Sequence, residues 1–158
     1  MQILVRRTAT CLAAFVFIIG VGLASAQAPD PFAGTWKLNL TKSKYTTPAP
    51  KSMTITFAPA AKGYAVTIDA IGPDGQPQKW GFTSAFDGSE SPVSDNPQID
   101  AVVATATGNG GIVRYKKAGN VITTTTSAVS DDGKTLVVTI KIPLAEGKEI
   151  TSVAVYER

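Results

Sequence analysis

The sequence predicts an all-β protein, a single antiparallel up-and-down meander that closes into a β-barrel of about eight to ten strands. Three observations point there. From Gly34 onward the chain is rich in Thr, Val and Ile, set in short apolar alternations of period two. Pairs of Gly, Asn and Asp interrupt those runs at hairpin spacing. No window carries the i, i+3, i+4, i+7 apolar spacing of an amphipathic helix.

The first 26 residues read as an export signal rather than as part of the fold. Arg6 and Arg7 form a basic start, the stretch from Thr8 to Ala26 is uncharged, and Ala24-Ser25-Ala26 offers small side chains for cleavage before Gln27. The apolar run is at the short edge of what a spanning helix needs, about 18–20 residues, so no stable membrane anchor is expected. The single cysteine, Cys11, lies at the start of that run, so residues 27–158 carry none and depend on no disulfide. Removing Arg6 and Arg7 from 15 basic residues leaves thirteen against 12 acidic. A near-neutral domain without a concentrated basic face is a poor nucleic-acid binder. The expectation is one exported domain, residues 27–158, periplasmic or extracellular.

The strands follow in order. Trp36, Leu38 and Leu40 alternate with Thr35, Lys37 and Asn39; Met53, Ile55 and Phe57 with Ser52, Thr54 and Thr56; Tyr64, Val66, Ile68 and Ala70 with Ala65, Thr67 and Asp69. Trp80, Phe82, Ser84 and Phe86 share one face of the next run. Runs near 99–106, 112–117, 121–129, 135–142 and 149–157 make about nine, and a short one around Ser91–Ser94 makes ten. The reversals between them fall at Pro73-Asp74-Gly75, Asp87-Gly88, Asn109-Gly110-Gly111, Gly119-Asn120, Asp132-Gly133 and Glu146-Gly147. Sequential hairpins of that number do best by closing, because closure removes exposed edges. A sandwich is the alternative, but its Greek-key order needs long crossovers. The longest connections here are Thr41–Lys51 and Ser89–Gln98.

The chain has no histidine, and residues 27–158 have no cysteine. That removes Ser-His-Asp and Cys-His catalysis and histidine or thiolate zinc sites. The acidic residues sit mainly in turns, where no apolar pocket raises a carboxyl pKa for acid catalysis. Gly108-Asn109-Gly110-Gly111 lacks the following helix and the Lys-Ser/Thr pair of a phosphate loop. No catalytic residue, metal or cofactor is expected.

The two ends of the domain resemble the calycins, the superfamily of lipocalins and intracellular fatty-acid-binding proteins. Phe32-Ala33-Gly34-Thr35-Trp36-Lys37-Leu38 is similar to their Gly-x-Trp opening strand, whose tryptophan closes the barrel floor. Asp132-Gly133-Lys134 with Leu136-Val137-Val138, then Val155-Tyr156-Glu157-Arg158, resembles the last hairpin of fatty-acid-binding proteins. Residues 27–158 also look like short exported bacterial proteins described only as lipocalin-like. The resemblance implies the barrel, the Trp36 floor and an Arg158 stacked upon it. It does not carry over the fatty-acid carboxylate site. Ala154 stands where the arginine paired with Tyr156 would be, Thr123–Val129 has no basic residue, and Thr41–Lys51 is too short and proline-bearing for the two-helix lid.

Threonine and serine on both faces of Thr123–Ser127 suit a barrel with a cavity, since a guest or water can meet inward hydroxyls; they equally suit a solvated strand. The leading expectation is a non-catalytic binding protein for a small apolar or amphipathic molecule, with Trp80, Phe82, Tyr156, Tyr64 and Phe86 as cavity lining. The alternative is a structural or protein-interaction module of the cell envelope whose barrel is filled by its own side chains. Interior volume separates the two, at about 300 Å³.

Overall fold

The computed structural model describes residues 30–158; the expected signal segment and its cleavage point lie outside the described residues. Ten antiparallel strands make the fold: β1 (Gly34–Leu38), β2 (Ser52–Pro59), β3 (Tyr64–Ile71), β4 (Pro77–Ser84) and β5 (Asp87–Ser94), then β6 (Ala101–Thr107), β7 (Gly110–Lys117), β8 (Asn120–Val129), β9 (Thr135–Pro143) and β10 (Glu149–Glu157). Each pairs with its neighbour in sequence, and β1 pairs with both β2 and β10. That last pairing closes the barrel and settles barrel against sandwich. Among the described residues the only helical element is a single 3₁₀ turn, Ala145–Gly147, and the β1–β2 connection carries no helix.

Register turns the period-two alternation into an interior. Ile55 lies opposite Ile68, which lies opposite Trp80; Phe57, Val66, Phe82 and Val93 form the adjacent row. Leu136 faces Tyr156, and Val138 faces Ala154. The buried side chains gather in two clusters, one around Val66, Ile68, Phe82 and Val102, the other around Trp36, Leu136 and Tyr156. Met53, Ile55 and Phe57 on β2 pack against both. Each fully buried large side chain contributes about 1.5–3 kcal/mol of apolar burial.

Four local readings shift. β1 ends at Leu38 rather than running on, and Leu40 is 42% exposed. Beyond it the connection still tracks β10, since Lys44 and Val153 exchange backbone hydrogen bonds at 2.7 Å and the Val155 N–H donates to Ser43 Oγ at 2.9 Å. The polar stretch from Asp87 to Ser94 is a full strand, so the reversal expected at Asp87-Gly88 falls earlier, at Ala85-Phe86, where Phe86 has φ 57°. The turn between β7 and β8 likewise sits at Ala118-Gly119, with φ 48° and 80°. Two positive φ values suit a tight hairpin, and Asp100 Oδ2 holds the Ala118 N–H at 2.8 Å. Finally, Gly110 and Gly111 belong to β7, leaving Gly108-Asn109 as the turn. A Cβ on Gly110 would come within 2.2 Å of the Ser127 carbonyl oxygen, so close β7–β8 approach requires glycine there.

Candidate functional site

One end of the barrel is sealed around Trp36. Its side chain is 0% exposed, and its Nε1 donates to the Phe32 carbonyl at 2.9 Å. The Arg158 guanidinium lies over the indole, 4.4 Å from the ring centroid. Arg158 also donates to the carbonyls of Gly133, at 2.6 Å, and Ala33, at 2.8 Å. The last residue thus ties the segment before β1 to the β8–β9 turn. That segment carries Phe32 inward, 5.7 Å from the Phe57 ring and 6.3 Å from Tyr64.

Above this floor, between the two clusters, is a cavity of about 170 Å³. Its wall from β2 to β4 is bulky, with Met53, Ile55, Phe57, Trp80 and Phe82. The opposite wall, from β7 to β9, carries Val113, Tyr115, Leu136, Val138 and Ile140 together with the hydroxyls of Thr125 and Ser127. This is the inward use of the Thr123–Ser127 hydroxyls: Thr125 and Ser127 face the cavity, and Ser127 Oγ donates to the Gly111 carbonyl at 3.1 Å. No Asp, Glu, Lys or Arg lines the space.

Of the five expected lining residues, Trp80, Phe82, Phe86 and Tyr156 border the cavity. Trp80 meets Tyr115 edge-on, centroids 5.9 Å apart. Phe86 arrives from the β4–β5 turn instead of from the strand, and packs edge-on to Tyr64 at 5.5 Å. Tyr64 itself stands outside, in a neighbouring cleft with Asp30 and Gly108. It faces inward as its alternation demands, but it begins β3 and so reaches the rim, where its hydroxyl donates to Asp30 Oδ2 at 2.5 Å. Phe32, Met53, Tyr115 and Ile140 also line the cavity and are not among the expected residues. Met53, Tyr115 and Ile140 carry the same inward parity as their strand neighbours. Phe32 precedes every alternation and gives no such signal.

The polar groups of the cavity wall are hydroxyls, those of Tyr115, Thr125, Ser127 and Tyr156. Tyr156 is 2% exposed, and its hydroxyl donates to Met53 Sδ at 3.0 Å. Burial pushes its pKa upward, and the neighbouring Tyr45 and Tyr115 hydroxyls push it further, so it stays protonated. Ala154, at the position where the fatty-acid-binding pattern has arginine, is 0% exposed. The interior therefore offers hydrogen-bond donors and no counter-charge.

No family model matches the chain, and no curated protein matches it. Solved structures do. A variant of the fluorescent protein UnaG is similar over 81% of this chain and 96% of that one, with 22% identity and a TM-score of 0.54. Zebrafish ileal bile acid-binding protein, complexed with cholic acid, is similar over 81% of this chain and 98% of that one, with 13% identity and a TM-score of 0.50. The likeness is one of fold, a closed ten-strand antiparallel barrel.

Proposed function

We propose that this chain is an exported, non-catalytic binding protein that holds one small apolar or amphipathic molecule inside the barrel. The observation that carries the reading is the charge-free cavity between two otherwise packed clusters, walled by Trp80, Phe82 and Phe57. A structural neighbour complexed with cholic acid supports an amphipathic guest in this fold. The cavity, about 170 Å³, lies below the range of about 300–1,000 Å³ usual for ligand pockets. The guest is accordingly smaller than a drug-sized molecule. Export rests on the first 26 residues, and delivers the domain to the periplasm or the medium.

The same small volume favours a second reading, a filled barrel serving as a structural or interaction module of the cell envelope. An interaction module needs an apolar surface patch. The exposed large apolar residues among those described are Val121 on β8, Val137 on β9, and Leu40 and Leu144 in connections.

The probe is 1-aminoanthracene, a small uncharged fluorophore, added to protein secreted through its own leader and checked by mass for a start at Gln27. Binding predicts saturable brightening and a change in tryptophan emission that disappears in Trp80→Phe, since Trp80 borders the cavity and Trp36 does not. A filled barrel gives neither signal.

A further inference from the structure

We propose that the guest is uncharged and carries a hydrogen-bond acceptor oxygen, a ketone, ester or ether rather than a carboxylate, and that Tyr156 donates to it. This rests on the binding reading above and specifies the ligand class of the same cavity.

Two independent features of the interior carry it. The first is the lining, which holds no cation. A carboxylate entering it would lose its water without gaining a counter-charge, which costs far more than burying a neutral oxygen. Neither candidate arginine position helps: Ala154 fills one, and Thr123–Val129, where the other would lie, has no basic residue.

The second is the state of the Tyr156 hydroxyl. It lies in the cavity wall, almost wholly buried, between the thioether of Met53 at 3.0 Å and the neighbouring Tyr45 hydroxyl. A thioether sulfur is a weak acceptor, whereas a buried phenol ordinarily finds an oxygen. On the cavity side the sulfur is the acceptor that a guest carbonyl has to displace, and Met53, unbranched and adaptable, can turn aside. Tyr115 and Thr125 lie on the same lining, so hydroxyls from β7, β8 and β10 offer the guest its polar contacts while the β2–β4 wall stays apolar.

Competition against bound 1-aminoanthracene at pH 7 tests this with a matched pair, 2-nonanone and octanoate. The ketone is expected to compete about tenfold or more better than the carboxylate. In Tyr156→Phe, checked for folding by circular dichroism, the affinity of 2-nonanone relative to 1-aminoanthracene is expected to fall roughly 3–10-fold, the worth of one neutral hydrogen bond. Octanoate competing as well as the ketone, or a ketone that does not compete, overturns the ligand class while binding stands. An unchanged ratio in Tyr156→Phe overturns Tyr156 as the donor. If 1-aminoanthracene itself does not bind, the failure belongs to the binding reading.

Discussion

The chain's two tryptophans occupy opposite circumstances inside one barrel. Trp36 has every surface covered, its ring nitrogen bonded to the Phe32 carbonyl and one face under Arg158. Trp80 is half-buried, touches Tyr115 by an edge, and faces empty volume. The difference separates what holds the barrel shut from what is free to meet a guest. Packing around Trp36 is fully determined by its neighbours, whereas the surroundings of Trp80 leave contacts unmade, which a ligand can make.

The sharpest way to break this comparison is to delete each indole in turn. Trp36→Ala is expected to cost about 3–5 kcal/mol, the usual loss for a buried tryptophan, read from urea unfolding. Trp80→Ala removes a side chain that already borders a void, so its cost should be less than half of that. Equal losses would mean that Trp80 belongs to the core and that the cavity is no site.

A smaller effect is expected from Arg158→Ala. The variant loses two backbone carbonyl contacts and the stacking on Trp36. Because the guanidinium is exposed, solvent screens these contacts, and the expected cost is about 1–2 kcal/mol. Arg158→Lys should recover little of it, since an ammonium cannot reproduce the planar fork that spans Gly133 and Ala33. Urea midpoints of the three proteins decide; a lysine variant as stable as the parent would reduce the contact to simple charge.

How far these regions were legible differs for physical reasons. The Trp36 end could be read because it combines strict alternation with a local signature, Gly34-Thr35-Trp36. Most strands declared themselves by inward parity in the same way. β5 did not. Its sequence from Asp87 to Ser94 is polar, and only Ser91 and Val93 turn inward, so no hydrophobic period marks it. Pro92 also argues against an interior strand. The ladder accommodates it because the Val93 N–H points to Asp100 on the β6 side, which aims the proline nitrogen toward β4, where pairing extends only to Gly81 and Phe82. Tertiary pairing, not propensity, makes that strand.

The cavity was legible by residue type more than by boundary. Alternation names Trp80, Phe82 and Tyr156 as inward, yet inward parity alone does not separate a rim from a wall. Tyr64 shares the parity of Val66 and Ile68 and still ends beside Asp30. Phe32 reaches the interior from an irregular segment whose path is set by Trp36 and Arg158. A position fixed by contacts distant in sequence leaves no periodic trace.

That rim supplies the smallest expected effect, and it tests whether the sealed end is one unit. The Tyr64 hydroxyl is pushed up to about 12, first by burial, then by its hydrogen bond to Asp30 and by that residue's negative charge. Burial would raise Asp30, but the Tyr64 hydroxyl and the N–H groups of Phe32 and Ala33 together bring it below its ordinary value. A tyrosine whose folded pKa is raised adds stability that is complete below its unfolded value, near 10, and is lost as pH rises through about 12. For Asp30 the sign reverses: its share is present above 3.8 and lost as pH falls through the lowered folded value. Both groups are largely in solvent, so screening holds the effect to a few tenths of a kcal/mol. Tyr64→Phe should therefore lose less stability than the parent between pH 8 and pH 11, by roughly that amount, with the remaining tyrosines and lysines titrating in both. Parallel decline of the two urea midpoints would show that the Asp30–Tyr64 contact adds nothing to the end that Trp36 and Arg158 hold.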